Sequence, residues 1–267
     1  MKPITVVVHG AMGKMGKTVI GAVCREPETR LVGACDIQAT GSRLPLPEGP
    51  GDVPLSSDLD SLLATLKPDV MIDFSVAKAA IPAIRIAAKR KVNIVSGTTG
   101  FSPTEVEEMK TLAETNGTGI IWTSNFAIGA IVMMHLAGIA AKYFDYAEII
   151  ELHHNLKMDA PSGTALSTAK AMAKARGKPF NRPPVEKGEP LVSRGLTVEG
   201  ISIHSVRLPG FLAHQEVIFG AAGQTLTIRH DTIDRDCFMP GVILATKAVI
   251  KRRGLTVGLE PILGLEG

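Results

Sequence analysis

Between Glu151 and Ala165 the chain reads Glu-Leu-His-His-Asn-Leu-Lys-Met-Asp-Ala-Pro-Ser-Gly-Thr-Ala. Two imidazoles, His153 and His154, and the ammonium of Lys157 fall within five residues. Imidazole titrates near neutrality, so it can give and take protons. Lys157 adds a second proton source or a fixed positive charge. The turn Ser162-Gly163-Thr164 is fit to open a helix, whose first amides form a ready anion site. Together these groups suit a small, doubly anionic substrate that undergoes proton transfer. Adjacent histidines alone describe a surface loop or a structural pair equally well; the lysine and the helix start tilt the reading toward a site. Glu151 and His153 share one side of a strand end, if the strand extends that far, because side chains alternate along a strand.

A second constellation lies at the start of the chain. A strand-like run leads into Gly10-Ala11-Met12-Gly13-Lys14-Met15-Gly16, with a glycine at every third position. Glycine tightens the turn and lets backbone amides approach a pyrophosphate at a helix N-terminus. Met12 stands where the strict dinucleotide fingerprint has its middle glycine, so a helix-packing turn without a ligand remains the alternative. Asp36 ends the second strand pattern 20 residues beyond Gly16, where a ribose-binding carboxylate belongs. Lys14 and Lys17 either neutralise phosphates or belong to a solvated helix face.

The run Glu-x-His-His-x-x-Lys-x-Asp-x-Pro-Ser-Gly-Thr-Ala resembles the signature of the dihydrodipicolinate reductases, and every fixed position is filled. The resemblance extends over nearly the whole chain. Gly-x-x-Gly-x-Met-Gly, Asp73-Phe74-Ser75, Gly97-Thr98-Thr99-Gly100 and Asn125-Phe126 followed by Ile128-Gly129 match in order. It implies NAD(P)H-dependent reduction of 4-hydroxy-tetrahydrodipicolinate to tetrahydrodipicolinate, with loss of water, on the diaminopimelate route to lysine. It implies His153 as the acid/base, Lys157 as the proton donor, and His154, Ser162, Gly163 and Thr164 as holders of a substrate carboxylate. For the cofactor it implies Gly10, Ala11, Met12, Gly13, Lys14, Met15, Asp36, Ile37, Gly97, Thr98, Thr99, Thr123, Ser124, Asn125 and Phe126. A homotetramer is implied by the resemblance alone. Many relatives place an arginine directly after the ribose acid; here it is Ile37, so NADH is expected ahead of NADPH. Further departures around Arg194-Gly195, Leu208-Pro209-Gly210 and Ala213-His214-Gln215 bear on packing and oligomer contacts. A relative of aspartate or homoserine dehydrogenase would explain the glycine loop but not the His-His-Lys run. A nucleotide-sensing regulator would need a basic reading segment, which is not seen.

The elements that must position these groups follow from periodicity. Ile4–Val8, Leu31–Cys35, Val70–Phe74, Val92–Ser96 and Gly119–Trp122 read as short strands, with helical spacing over 14–25, 77–90 and 103–116. Ser102-Pro103-Thr104-Glu105 is a helix start. This alternation predicts a parallel Rossmann-like sheet with helices on both faces. The Pro- and Gly-rich segment 40–57 is expected to be a loop. The second half should supply a smaller α+β domain with an open mixed sheet: helices over 128–143, 163–176 and 239–251, and strands over 147–152, 201–208, 215–219 and 225–230. Pro179–Pro190 is expected to be an exposed loop. The expected domains are 1–126 with 238–267 for the dinucleotide, and 127–237 for substrate and oligomer contacts, the last helix returning to the first domain on the strength of the resemblance.

Size and composition set the outer bounds. The chain has 267 residues, 28.2 kDa, 45% hydrophobic and only 4% aromatic residues, which suits an aliphatic globular core. A net charge of +3 with scattered basic residues gives no nucleic-acid-binding stripe. Cys24, Cys35 and Cys237 are odd in number and widely spaced, which fits a reducing, cytoplasmic setting. No apolar run approaches the roughly 20 residues that cross a bilayer, and no signal-peptide pattern is seen, so no membrane partner is expected. His204, His214 and His230 fit no common zinc spacing, so no metal is expected. His9 and His135 read as packed residues, and the ten methionines as core filler.

Overall fold

The computed structural model describes residues 2–47, 50–182 and 192–265. The chain divides into two compact units, Met1–Ile128 with Arg235–Gly267, and Gly129–Asp234. In chain order the first unit contributes β1 (Ile4–His9), α1 (Lys14–Arg25), β2 (Thr29–Cys35), β3 (Arg43–Pro45), β4 (Asp52–Ser56), α2 (Leu59–Leu66), β5 (Val70–Asp73), α3 (Ala77–Lys89), β6 (Asn93–Ser96), α4 (Pro103–Asn116) and β7 (Gly119–Trp122). The second contains almost all of α5 (Ile128–Ala141), then β8 (Tyr146–His153), α6 (Gly163–Arg176), β9 (Leu196–Val198), β10 (Ile201–Arg207), β11 (Ala213–Ala221) and β12 (Gln224–Thr232). The chain then re-enters the first unit with α7 (Met239–Val249), β13 (Gly254–Val257) and α8 (Glu260–Leu263).

The first unit is an eight-stranded sheet in the order β13-β7-β6-β5-β1-β2-β4-β3. Every neighbouring pair is parallel except β3 with β4. Strand order reverses on either side of β1, whose neighbours are β2 and β5. In an open α/β sheet that reversal opens a ligand crevice beyond the carboxyl ends of the strands. Val7, Met71, Ile94 and Ile120 bury one face of the sheet beneath α2, α3 and α4, where Leu63, Ile84 and Met109 meet them. Alternation turns Val6, Val8, Ile72, Val95 and Ile121 to the opposite face, and all are fully buried. Side chains of this size each contribute roughly 1.5–3 kcal/mol on full burial. α7 covers part of that second face, against α1, β5, β6 and β7. The start of α4 is a capping box between Ser102 and Glu105 with a proline in its first turn, and the helix ends at left-handed Gly117.

The second unit is a mixed sheet in the order β12-β11-β8-β10-β9, with β8 and β10 parallel and the other pairs antiparallel. One face is packed by residues of α5 and α6, including Ala137, Ala141, Ala169 and Met172 against Ile149, Ile203, Val217 and Phe219. Register places Ile149 beside Ile203 and Val217 in one layer. The next layer along the same face is Glu151, Ser205 and Gln215, and the last is His153, Arg207 and Ala213. The packed face therefore turns from apolar to charged as β8 approaches its carboxyl end.

Some expectations need correction. Segment 40–57 is not a loop: β3 and β4 form a short antiparallel pair within it, with Pro45 and Pro54 accommodated near the sheet edge. α2, β9, β13 and α8 were not expected at all. Of the segment 179–190, positions 183–190 lie outside the described residues. Phe180, expected in an exposed loop, is instead buried with its ring 6.5 Å from that of Phe219.

Candidate active site

At the carboxyl edge of the first sheet, β1 ends at His9 and turns through Gly10, whose φ of +77° favours glycine. A Cβ there would come within 2.5 Å of the Phe74 carbonyl oxygen. The N-cap of α1 is Gly13, which has no side-chain cap, so the first amides of the helix face outward without a protein acceptor from a capping residue. A cavity of about 380 Å³ is lined there by His9, Gly10, Gly13, Asp36, Ile37, Phe74 and Ser75. Uncapped amides, a glycine cradle and a carboxylate on one cavity wall fit the pyrophosphate and ribose of a dinucleotide.

Asp36 is buried, and its carboxylate accepts from the Met12 amide and from the Gln38 amide, each at 2.8 Å. It thus braces the glycine loop as well as lining the cavity. Ile37 is 92% exposed and carries no charge toward the site. Arg43 is paired with Asp52 across β3 and β4, its Nε donating at 2.8 Å. Ala11 is buried, Met12 and Met15 are half-buried, and Lys14 is exposed with no ion pair among the described residues.

The remaining residues of that set divide into loop supports and open positions. Thr98 is buried; its hydroxyl donates to Asp73 at 2.8 Å and accepts from the Ser75 amide at 2.9 Å. Gly97 leaves room for the Phe74 ring, which a Cβ would strike. Thr123 donates to the Asn125 carbonyl at 2.9 Å, and Asn125 accepts from the Ala127 amide at 2.9 Å. Phe126 is buried with its ring 5.6 Å from that of Phe74. Thr99 and Ser124 are exposed.

The site in the second unit begins with Glu151. It is fully buried and accepts from His153 Nδ1, from both terminal nitrogens of Arg207 at 2.9 and 2.7 Å, and from the Ser162 amide at 3.2 Å. Burial alone would raise its pKa, but the hydrogen bonds from His153 and Arg207 outweigh it and hold the carboxyl at about 2. Because a carboxylate only accepts, His153 carries its proton on Nδ1 and keeps Nε2 for another partner. Ser162 caps α6, its hydroxyl accepting from the Ala165 amide at 3.2 Å. The amides of Gly163 and Thr164 precede the helical ladder and have no acceptor among the described residues. A Cβ on Gly163 would meet nothing within 4 Å, so space lies open above it. Lys157 is paired with Asp159 at 2.8 Å, and His154 is half-buried.

Two further polar groups, buried Asp73 and half-buried Arg207, stand outside the site residues expected from the sequence. Asp73 accepts from His9 Nδ1 at 2.7 Å and from Ser75, Ser96 and Thr98, so one carboxylate ties the ends of β1, β5 and β6 together. Burial opposes its ionisation, yet the bond from His9 and those from the hydroxyls hold its pKa below the ordinary value. The sequence signal was an acid at a strand end. Arg207 had no local signal. His204 and His214 are each paired with a carboxylate, Glu148 and Asp231.

The family model described as dihydrodipicolinate reductase, N-terminus, matches residues 4–126, and its C-terminus counterpart matches 129–263. The 4-hydroxy-tetrahydrodipicolinate reductase of Dehalococcoides mccartyi is 57% identical over 265 residues, 99% of this chain and 100% of that one. That of Moorella thermoacetica is 45% identical over 262 residues, 97% of this chain and 98% of that one. The solved structure of dipicolinate-bound dihydrodipicolinate reductase from Paenisporosarcina sp. TG-14 has a TM-score of 0.87 at 41% identity, covering 97% and 99% of the two chains. An amine dehydrogenase from Mycobacterium smegmatis, at 17% identity and a TM-score of 0.65, shares the fold. With both halves matched and full-length relatives this similar, the chain belongs to the dihydrodipicolinate reductase family, NAD(P)H-dependent enzymes that reduce 4-hydroxy-tetrahydrodipicolinate to tetrahydrodipicolinate on the diaminopimelate route to lysine.

Proposed function

We propose that His153 and Lys157 carry the proton chemistry of this reduction, that His154, Ser162, Gly163 and Thr164 seat a substrate carboxylate, and that NADH is the preferred reductant. The observation that carries the reading is the contact of His153 Nδ1 with the Glu151 carboxylate beside a helix start with two unpaired amides. The nicotinamide supplies the hydride when bound. His153 Nε2 gives or takes the ring proton, while Nδ1 stays on Glu151. Lys157 leaves its partner Asp159 readily, since an exposed pair is worth roughly 0–1 kcal/mol, and its ammonium donates a proton and balances a carboxylate. The amides of Gly163 and Thr164 receive the second carboxylate with the helix dipole behind them. A dipicolinate-bound relative supports a dicarboxylate heterocycle as the ligand class.

For the cofactor, the amides and glycines of Gly10, Ala11, Met12, Gly13, Lys14 and Met15 would hold the pyrophosphate. Gly97, Thr98, Thr99, Thr123, Ser124, Asn125 and Phe126 would line the remainder, Thr98 and Thr123 by their backbones because their hydroxyls are already engaged. Asp36 accepts from the ribose hydroxyls of NADH and repels the 2′-phosphate of NADPH. Exposed Ile37 offers no compensating guanidinium, and Arg43 is held by Asp52, which leaves Lys14 as the cation within the loop. The first unit is thus the dinucleotide domain and the second the substrate and assembly domain, in a cytoplasmic homotetramer.

The test is kcat/KM with both cofactors at fixed ionic strength, for wild type, Ile37→Arg and His153→Gln. Wild type should favour NADH, Ile37→Arg should gain on NADPH through phosphate pairing, and His153→Gln should lose roughly 10²–10⁴-fold in kcat with little change in KM. A wild type that favours NADPH tenfold, about 1.4 kcal/mol, overturns the cofactor argument, and near-normal turnover of His153→Gln overturns the proton-transfer role. Sedimentation at four times 28.2 kDa is expected; a smaller mass rejects the tetramer.

A further inference from the structure

We propose that Glu151 and Arg207 are positioning residues that together set the tautomer and the charge balance of His153, an inference that rests on the proton-transfer reading of His153 given above. Glu151 is fully engaged as an acceptor: Oε2 takes His153 Nδ1 and one Arg207 nitrogen, Oε1 takes the other Arg207 nitrogen and the Ser162 amide, and the Ser205 side chain bonds the same carboxylate. A carboxylate offers about four such acceptor positions. Arg207 is fixed in turn by the Val206 carbonyl at 2.7 Å and the Asp159 carbonyl at 2.8 Å. The chain of contacts therefore links the imidazole, the start of α6 and the turn that carries Lys157.

The two charges act in opposite senses. A lone carboxylate in contact with an imidazole favours the imidazolium by an amount that typically reaches 1–3 pKa units. It would hold His153 protonated and withdraw it as a base. Arg207 forks onto the same carboxylate and offsets that charge, while the geometry that fixes Nδ1–H survives. Other charged groups nearby are Lys157 and Asp159, which pair with each other. His154, the next residue, lies just past the end of β8. Register places uncharged Ala213 and Gln215 of β11 opposite His153 and Glu151, and uncharged Ser205 of β10 beside Glu151. The start of α6 adds only Ser162, Gly163 and Thr164. Arg207 is thus the cation in direct contact with Glu151.

The test follows the His153 ring by NMR titration of the full chain labelled at histidine, its signal identified by loss in His153→Gln, alongside the pH profile of kcat. Glu151→Gln should move the His153 midpoint down, and Arg207→Gln should move it up, each by about one unit. The limb of the rate profile should follow in both. Midpoints that move in the same direction, or that stay put in both variants, overturn the proposal. Opposite midpoint shifts with an unmoved rate limb uphold the charge balance and reject His153 as the proton-transfer group, so the two failures are separable. If either neutral variant loses the wild-type circular dichroism spectrum, Glu151→Asp and Arg207→Lys take its place. These keep both charges but break the fork, so kcat should fall at least tenfold with the midpoint within about half a unit of wild type. Unchanged kcat in that pair overturns the proposal.

Discussion

At Glu151, desolvation of a carboxylate competes with hydrogen bonds from His153, Arg207 and Ser205, and the hydrogen bonds prevail. The consequence is a signed pH dependence. Its pKa falls from 4.5 to about 2 on folding, so the ionised form stabilises the fold. That contribution is complete above pH 4.5 and is lost as the pH falls toward about 2. Glu151→Gln should therefore flatten the acid limb of stability in that window, measured as the urea midpoint against pH; an unchanged limb would show that Glu151 does not set it. Cys35 shows the opposite balance. Burial first, then Asp36 and Asp58, push its thiol up to about 12, so it stays protonated and unreactive. Gly163 offers a cleaner separation of binding from folding. Nothing lies within 4 Å of a Cβ placed there, so Gly163→Val should melt within a few degrees of wild type yet raise substrate KM severely. Thr164→Val, which adds no bulk over the Gly163 backbone, should raise it modestly. Equal small effects would make this turn a plain helix cap.

Among the elements, α2 shows what local chemistry contributes without touching the site. Asp58 caps it, accepting from the Ser61 amide at 3.1 Å and the Ser61 hydroxyl at 2.6 Å. Asp58→Ala should cost about 1 kcal/mol in denaturant unfolding with kcat unchanged; a change in kcat would tie α2 to function. The cap lies at a Ser-Asp-Leu-Asp sequence, but the helix spans only Leu59–Leu66 and went unread. Elements marked by period, cap or an apolar run were legible: α1, α4, α6 and β7 run over the residues that those signals indicate. β3 and β9 are three residues long, too short for alternation to register, and β13 lacks the nearly unbroken burial of the equally short β7. β4 carries Pro54, which argues against a strand until it is seen that only Leu55 and Ser56 pair with β2. Residues that act together within one loop, such as His153, Lys157 and Ser162, were visible as a run. Partners brought by pairing were not. Arg207 meets Glu151 because β10 lies parallel to β8, and His9 meets Asp73 because β5 lies beside β1. A strand register is a property of the assembled sheet, so no local spacing announces it.

For the molecule as a whole, the two units have separate cores, one under eight mostly parallel strands and one under five mixed strands. No helix among the described residues is long and apolar enough to cross a membrane. The second unit is continuous in sequence, whereas the first is completed only by residues 235–267. That interruption sets an order of events on the ribosome. After β7 emerges, the 106 residues of 129–234 must be synthesised before α7 and β13 appear. At ordinary elongation rates this delay lasts roughly 5–20 s. During it, α1 lacks its neighbour α7, and the face of β5, β6 and β7 that α7 covers stays wet and apolar. The intervening segment has every strand of its own sheet available before the earlier one can close. The nascent chain thus finishes its later domain first, and the waiting surface of β5 to β7 is where a chaperone has most to shield.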